Sequence, residues 1–154
     1  MKKIIFLFIG LFLLTCLSAR AQYFEGFSVK SYKISSVWPT SFRSVKGSVT
    51  ATVGNTKDAR LMSGIRATVY RNGVRFAEGT CEDVTIAVGT HSYVFRGQVW
   101  LADGISTWDA IKAALSFNAS EYTVDFVVDI SHPDGTVDHV VRKDMPVIHY
   151  LRRR

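Results

Sequence analysis

Apolar and polar residues alternate with a period of two along most of this chain, the signature of strands with one buried and one wet face. Residues 44–53 show it most regularly. Val45, Gly47, Val49, Ala51 and Val53 fall on one side, and Lys46, Ser48, Thr50 and Thr52 on the other. In residues 65–70, Ile65, Ala67 and Val69 alternate with Arg66, Thr68 and Tyr70, and beyond Asn72-Gly73, Val74 and Phe76 alternate with Arg75 and Ala77. Asn-Gly tolerates the positive φ angles of a two-residue type I′ turn, so Asn72 and Gly73 predict a hairpin at the centre of the fold. Val84, Ile86 and Val88 predict a short strand, and His91, Tyr93, Phe95, Val99 and Leu101 share one parity of a longer one, against Val94, Arg96, Gln98 and Trp100. Tyr122, Val124, Phe126, Val128 and Ile130 predict inward positions, with Thr123, Asp125 and Asp129 outward.

Two stretches depart from simple alternation. In residues 24–37, Phe27 and Val29 lie on one parity and Tyr32 and Ile34 on the other, which predicts a bulge or a change of partner between them. Trp38-Pro39 ends that strand, because proline donates nothing to a ladder. After the Asp103-Gly104 break, Ser106 and Asp109 predict a capping box, and Trp108, Ile111 and Leu115 make an i, i+3, i+7 apolar stripe. One short helix is expected there, with its stripe covering an end or edge of the sheets. His132-Pro133-Asp134-Gly135 is turn chemistry, and strands are expected over residues 136–142 and 145–151, with Pro146 suited to an edge. Seven or eight short antiparallel strands with regular turns and one helix predict an all-β, immunoglobulin/fibronectin III-like two-sheet β-sandwich.

The ends change what the composition means. Met1-Lys2-Lys3, an apolar run over residues 4–14 and Ala19-Arg20-Ala21 have the form of an export signal, so residues 1–21 are expected to be a signal peptide and residues 22–154 one domain. The alternative is a lipoprotein anchored at Cys16. The expected location is periplasmic or extracellular. Loss of Lys2, Lys3 and Arg20 would halve the formal net charge of +6, and Arg152, Arg153 and Arg154 carry much of the remainder. A near-neutral body gives no footprint for nucleic acid. The arginine tail could make weak contact with an anionic membrane surface. Cys81 would be the sole cysteine after cleavage, which excludes an internal disulfide or a cysteine metal cluster.

The order of these features resembles a known family. A strand leading to Gly54-Asn55-Thr56 is followed by the piece containing Tyr70, Asn72, Gly73, Ala77 and Gly79, then a long strand, a helix, a Tyr-led strand and a final hairpin. This is similar to the second subgroup of late embryogenesis abundant proteins, which includes the water-stress and hypersensitive-response domain. Gly54-Asn55-Thr56 stands where that family usually has Asn-Pro-Asn. The resemblance covers roughly residues 29–147. It implies a β-sandwich with one helix, and a non-enzymatic role in stress tolerance or as an accessory of an envelope system. It transfers no catalytic residue and implies no cofactor.

Candidate chemistry is sparse. His132, Asp134, Asp138 and His139 crowd one hairpin and have donors suited to a metal, yet adjacent strand residues such as Asp138 and His139 point to opposite faces. A solvated hairpin tip is the expected state, with no metal. Asp125 and Asp129 share a face but lie roughly 13 Å apart by strand rise, too far for paired glycosidase carboxylates. No G-x-S-x-G nucleophile elbow occurs. Trp38, Trp100 and Trp108 are candidates for a sugar or peptide platform. Trp108 is expected to dock the helix, and Trp100 is the preferred surface contact, because its parity opposes Phe95 and Leu101. The function expected from the sequence is therefore binding or shielding by a non-enzymatic exported protein, its partner an unidentified protein or envelope component. The alternative is an assembly or adhesion module acting through an exposed strand edge.

Overall fold

The computed structural model describes residues 26–147. The expected signal peptide, with Cys16, and the Arg152-Arg153-Arg154 tail lie outside them. The strands are β1 (Phe27–Pro39), β2 (Ser44–Asn55), β3 (Arg60–Arg71), β4 (Val74–Cys81), β5 (Val84–Ile86), β6 (Gly89–Leu101), β7 (Tyr122–Ser131) and β8 (Val137–Pro146). A helix, α1 (Thr107–Leu115), and a single 3-10 turn (Ala119–Glu121) connect β6 to β7. Hydrogen bonds join all eight strands into one antiparallel sheet, in the order β1-β2-β6-β4-β3-β7-β8, with β5 paired to β3 off that path.

β6 changes neighbours along its length. It pairs with β2 throughout, but with β4 only from Gly97 to Leu101. Past Cys81 the chain leaves β6 and pairs, as β5, with the start of β3. One apolar cluster fills the interior. It joins Val49, Ala51, Val53 and Phe95 from the β2–β6 side to Met62, Ile86, Phe126, Val128 and Ile130 from the β3–β7 side. β7 alternates buried and half-buried residues without a break, as the sequence predicts.

The central hairpin has the predicted turn. Asn72 and Gly73 take φ of 50° and 79°, and Arg71 faces Val74 across a two-residue loop. A methyl group at Gly73 would meet nothing within 4 Å. Gly73→Ala is therefore expected to cost about 1 kcal/mol, from backbone conformation alone. Equilibrium urea unfolding measures it.

Bulges account for the irregular stretches. In β1, Val29 faces Val53 and Ser31 faces Thr52, so Lys30 is the extra residue where the parity changes. A second shift follows at Ser35. Phe27, Val29, Tyr32 and Ile34 consequently all stand opposite β2 residues. In β4, Val69 faces Ala77 while Tyr70 faces Arg75, leaving Phe76 unpaired. This overrides the simple alternation expected there: Phe76 and Ala77 are both buried, and Val74 is exposed. The two strands expected over residues 136–142 and 145–151 are continuous as far as Pro146. Their expected break is a bulge at Lys143-Asp144, where Asp144 takes φ 54° and its N–H donates to Asp125 Oδ1 at 3.0 Å.

The helix has its predicted cap but not its predicted face. Ser106 Oγ accepts from the Asp109 N–H, and Asp109 Oδ2 accepts from the Ser106 N–H, each at 3.0 Å. The buried positions are Ala110 and Ala113, while Trp108 is 61% exposed and Leu115 83%. Ile111 is half-buried. Alanine has no bulk beyond Cβ, so this face lets the helix axis lie close to the core. Trp108 and Leu115 of the stripe expected to dock the helix are turned outward, and Lys112 Nζ lies 5.6 Å from the centre of the Trp108 ring.

Candidate functional site

The outer face of the sheet carries a groove of about 330 Å³, lined by Trp38, Lys46, Gly47, Thr80, Cys81, Glu82, Arg96, Gly97 and Gln98. That volume falls at the small end of ligand pockets, which run to ~300–1,000 Å³. Register builds it. Trp38 stands directly opposite Lys46, Lys46 opposite Gln98, and Gln98 opposite Thr80. An aromatic ring, a cation, an amide and a hydroxyl thus follow one another across β1, β2, β6 and β4, at the spacing of neighbouring strands. Two residues along the strands, Arg96 and Glu82 form a second row, tied by the Glu82 N–H donating to the Arg96 carbonyl at 2.8 Å.

Glycine opens the floor. Gly47 faces Gly97 between β2 and β6, and Gly97 also faces Cys81 in β4. A Cβ at Gly97 would lie 2.9 Å from the Thr80 carbonyl oxygen. Only a residue without a side chain lets β4 and β6 meet there. Trp38 is 45% exposed at the wall. The side chains of Lys46, Thr80, Glu82, Arg96 and Gln98 make no hydrogen bond or ion pair among the described residues. Cys81 is half-buried, and burial, then Glu82 and Asp83, push its thiol up to about 12.

The candidate metal residues do not converge. His132 Nδ1–H donates to Asp58 Oδ2 at 2.9 Å, and Nε2–H donates to Asp138 Oδ2 at 2.7 Å. His139 instead pairs with Asp129, and Asp134 Oδ1 accepts from the Thr136 N–H and hydroxyl. With a carboxylate facing each ring nitrogen, the arrangement favours the imidazolium form of His132. It clasps the β7–β8 turn to the loop before β3, where Asp58 also meets the buried Arg60 at 3.1 Å. Hydrogen bonds to Asp58 and then Asp138 hold the His132 pKa above its ordinary 6.5. The bond from His132 holds Asp58 below 3.8.

The pH dependence follows from those directions. The stabilisation is complete between about pH 4 and 6.5. It is lost as pH rises through the raised His132 pKa, and as pH falls through the lowered Asp58 pKa. Wild-type protein is therefore expected to lose more melting temperature between pH 6 and pH 9 than His132→Gln does. Parallel slopes in the two proteins would show that the clasp adds nothing.

The tryptophans are dispersed differently from expectation. Trp100 does lie on the outer face but is half-buried, and its indole N–H donates to Glu78 Oε2 at 3.1 Å. Glu78 in turn pairs with Arg75 at 3.0 Å. Trp108 is on the exposed side of α1. Trp38 is the one that walls the groove. Asp125 and Asp129 are occupied separately, by the Asp144 N–H and by His139. Sequence reasoning missed Lys46, Thr80, Glu82, Arg96 and Gln98 as a set. The outward parity of Lys46, Arg96 and Gln98 was available, but the bulge that turns Thr80 outward and the order of strands that lines them up were not.

No family model matches the chain, and no curated protein matches it. Among solved structures, a protein from Archaeoglobus fulgidus is similar at 18% identity and a TM-score of 0.44, over 75% of this chain and 94% of that one. A FixG-related protein from Vibrio parahaemolyticus is similar at 12% identity and a TM-score of 0.32, over 79% and 96%. A β-glucuronidase from glycoside hydrolase family 2 is similar at 12% identity and 0.34, over 72% of this chain and 10% of that one. These likenesses are too distant to transfer a function.

Proposed function

We propose that this protein is an exported module that binds or shields other molecules without chemical turnover, in the manner implied by its resemblance to the second subgroup of late embryogenesis abundant proteins. The observation that carries the reading is the contrast between the titratable groups and the groove. His132 and His139 are engaged by carboxylates and Cys81 is held protonated, whereas the polar side chains around Trp38 are left without partners among the described residues. A surface arranged in this way suits recognition better than acid–base chemistry. The shared core between the β2–β6 side and the β3–β7 side supports an immunoglobulin-like sandwich, in which β6 passes from one layer to the seam. The apolar run and small-x-small site of residues 1–21 support export.

The test is protection of a labile enzyme through drying or freezing. More residual activity than with an inert globular protein of equal mass is expected, and equal activity would overturn the reading. The alternative of pairing through a strand edge has less support. β1 carries two bulges with Lys30 and Lys33, and β8 carries the Lys143-Asp144 bulge, devices that hinder strand addition.

A further inference from the structure

We propose that the Trp38 groove binds a saccharide ring bearing an anionic substituent, an inference that rests on the reading of the protein as a binding module and names its ligand. Three features select this chemistry. First, the floor of the groove lies on the face of β2, β6 and β4, whose backbone groups there are already paired in ladders, with edge strand β1 contributing Trp38 from the side. A ligand cannot add as a strand, nor can a phosphate be cradled by free N–H groups, so recognition falls to side chains. Second, those side chains are the ones a sugar uses. An indole offers a flat apolar face to the C–H face of a ring, and the Gln98 amide and Thr80 hydroxyl both donate to and accept from ring hydroxyls.

Third, the charge is biased. Lys46 and Arg96 stand against Glu82 alone in the lining, and none of the three is neutralised by another side chain among the described residues. Lys46 is the direct cross-strand neighbour of Trp38. A ring stacked on the indole therefore places its carboxylate or sulfate beside the ammonium. Trp100 plays no part in this, because it does not line the groove.

Titration of the full chain with three short oligosaccharides tests the assignment: an oligogalacturonate, a sulfated dextran fragment and a neutral dextran fragment. Tryptophan fluorescence and calorimetry give the readouts. At least one anionic probe is expected to bind about tenfold more tightly than the neutral one, an advantage that shrinks as salt is added. The better of the two anionic probes identifies whether the charge is carboxylate or sulfate. Trp38→Ala is expected to lower affinity about tenfold, Trp38→Tyr to lower it less, and Lys46→Gln to remove the preference for anionic probes. Trp100→Phe should bind as the wild type does. The assignment is overturned if no probe binds at millimolar concentration, if the neutral probe binds equally well, or if Trp38→Ala keeps full affinity with an unchanged circular dichroism spectrum. If saccharide binding is absent while enzyme protection persists, the ligand is wrong and the binding-module reading stands.

Discussion

Phe126→Ala is expected to remove about 3–5 kcal/mol of stability, the range for emptying a large aromatic site in a packed core. Phe126 is 1% exposed and heads the fully buried side chains by volume. It sits midway along β7, opposite Ala67 of β3 and Arg142 of β8, and belongs to the shared apolar cluster. A domain of this size has roughly 5–15 kcal/mol in total, so the variant would be close to unfolding. Guanidinium unfolding should show a lower midpoint with an unchanged slope. Phe126→Leu, which keeps most of the volume, should lose far less. Equal losses in the two variants would mean that the aromatic shape matters beyond the volume filled.

Gly97→Ala should cost about 2 kcal/mol through contact, as overpacking does. The added methyl group would press on the Thr80 carbonyl oxygen at 2.9 Å, and that oxygen belongs to the backbone, so no side chain can swing away. Relief requires β4 to move off β6, and those strands share only the stretch from Ala77–Leu101 to Cys81–Gly97. Hydrogen exchange should therefore accelerate first along that stretch. Gly73→Ala supplies the contrast, because it carries conformational cost with no contact. If Gly97→Ala unfolds like wild type, the seam is looser than its geometry implies. The same substitution would raise the groove floor, so saccharide affinity should fall along with stability.

Local chemistry was legible wherever one short stretch decides the outcome. Asn72-Gly73 gave the turn because few dipeptides accept two positive φ values in succession. The parity change between Val29 and Tyr32 gave the Lys30 bulge, and Ser106 with Asp109 gave the helix cap. What stayed hidden depends on partners far away in sequence. The eight-stranded sheet sets β6 beside β4 and β3 beside β7, and no local pattern encodes those neighbours. The helix face was misread for a different reason. Trp108, Ile111 and Leu115 outweigh Ala110 and Ala113 on any hydrophobic scale, yet close docking selects small residues over apolar ones. Asp58 was overlooked because its partner His132 lies beyond five intervening strands and a helix. The groove combined both difficulties: Lys46 and Gln98 were read as opposite the apolar parity, but only the register sets Trp38, Lys46, Gln98 and Thr80 in one row.

The position of Cys81 has a practical corollary. With its sulfur half-buried and its pKa pushed up to about 12, almost none of it is thiolate at neutral pH. Air oxidation and disulfide-linked dimers should be negligible during purification, even without added reductant. Once β4 peels away the thiol regains ordinary reactivity, so the rate of maleimide labelling becomes a built-in clock for opening of that seam.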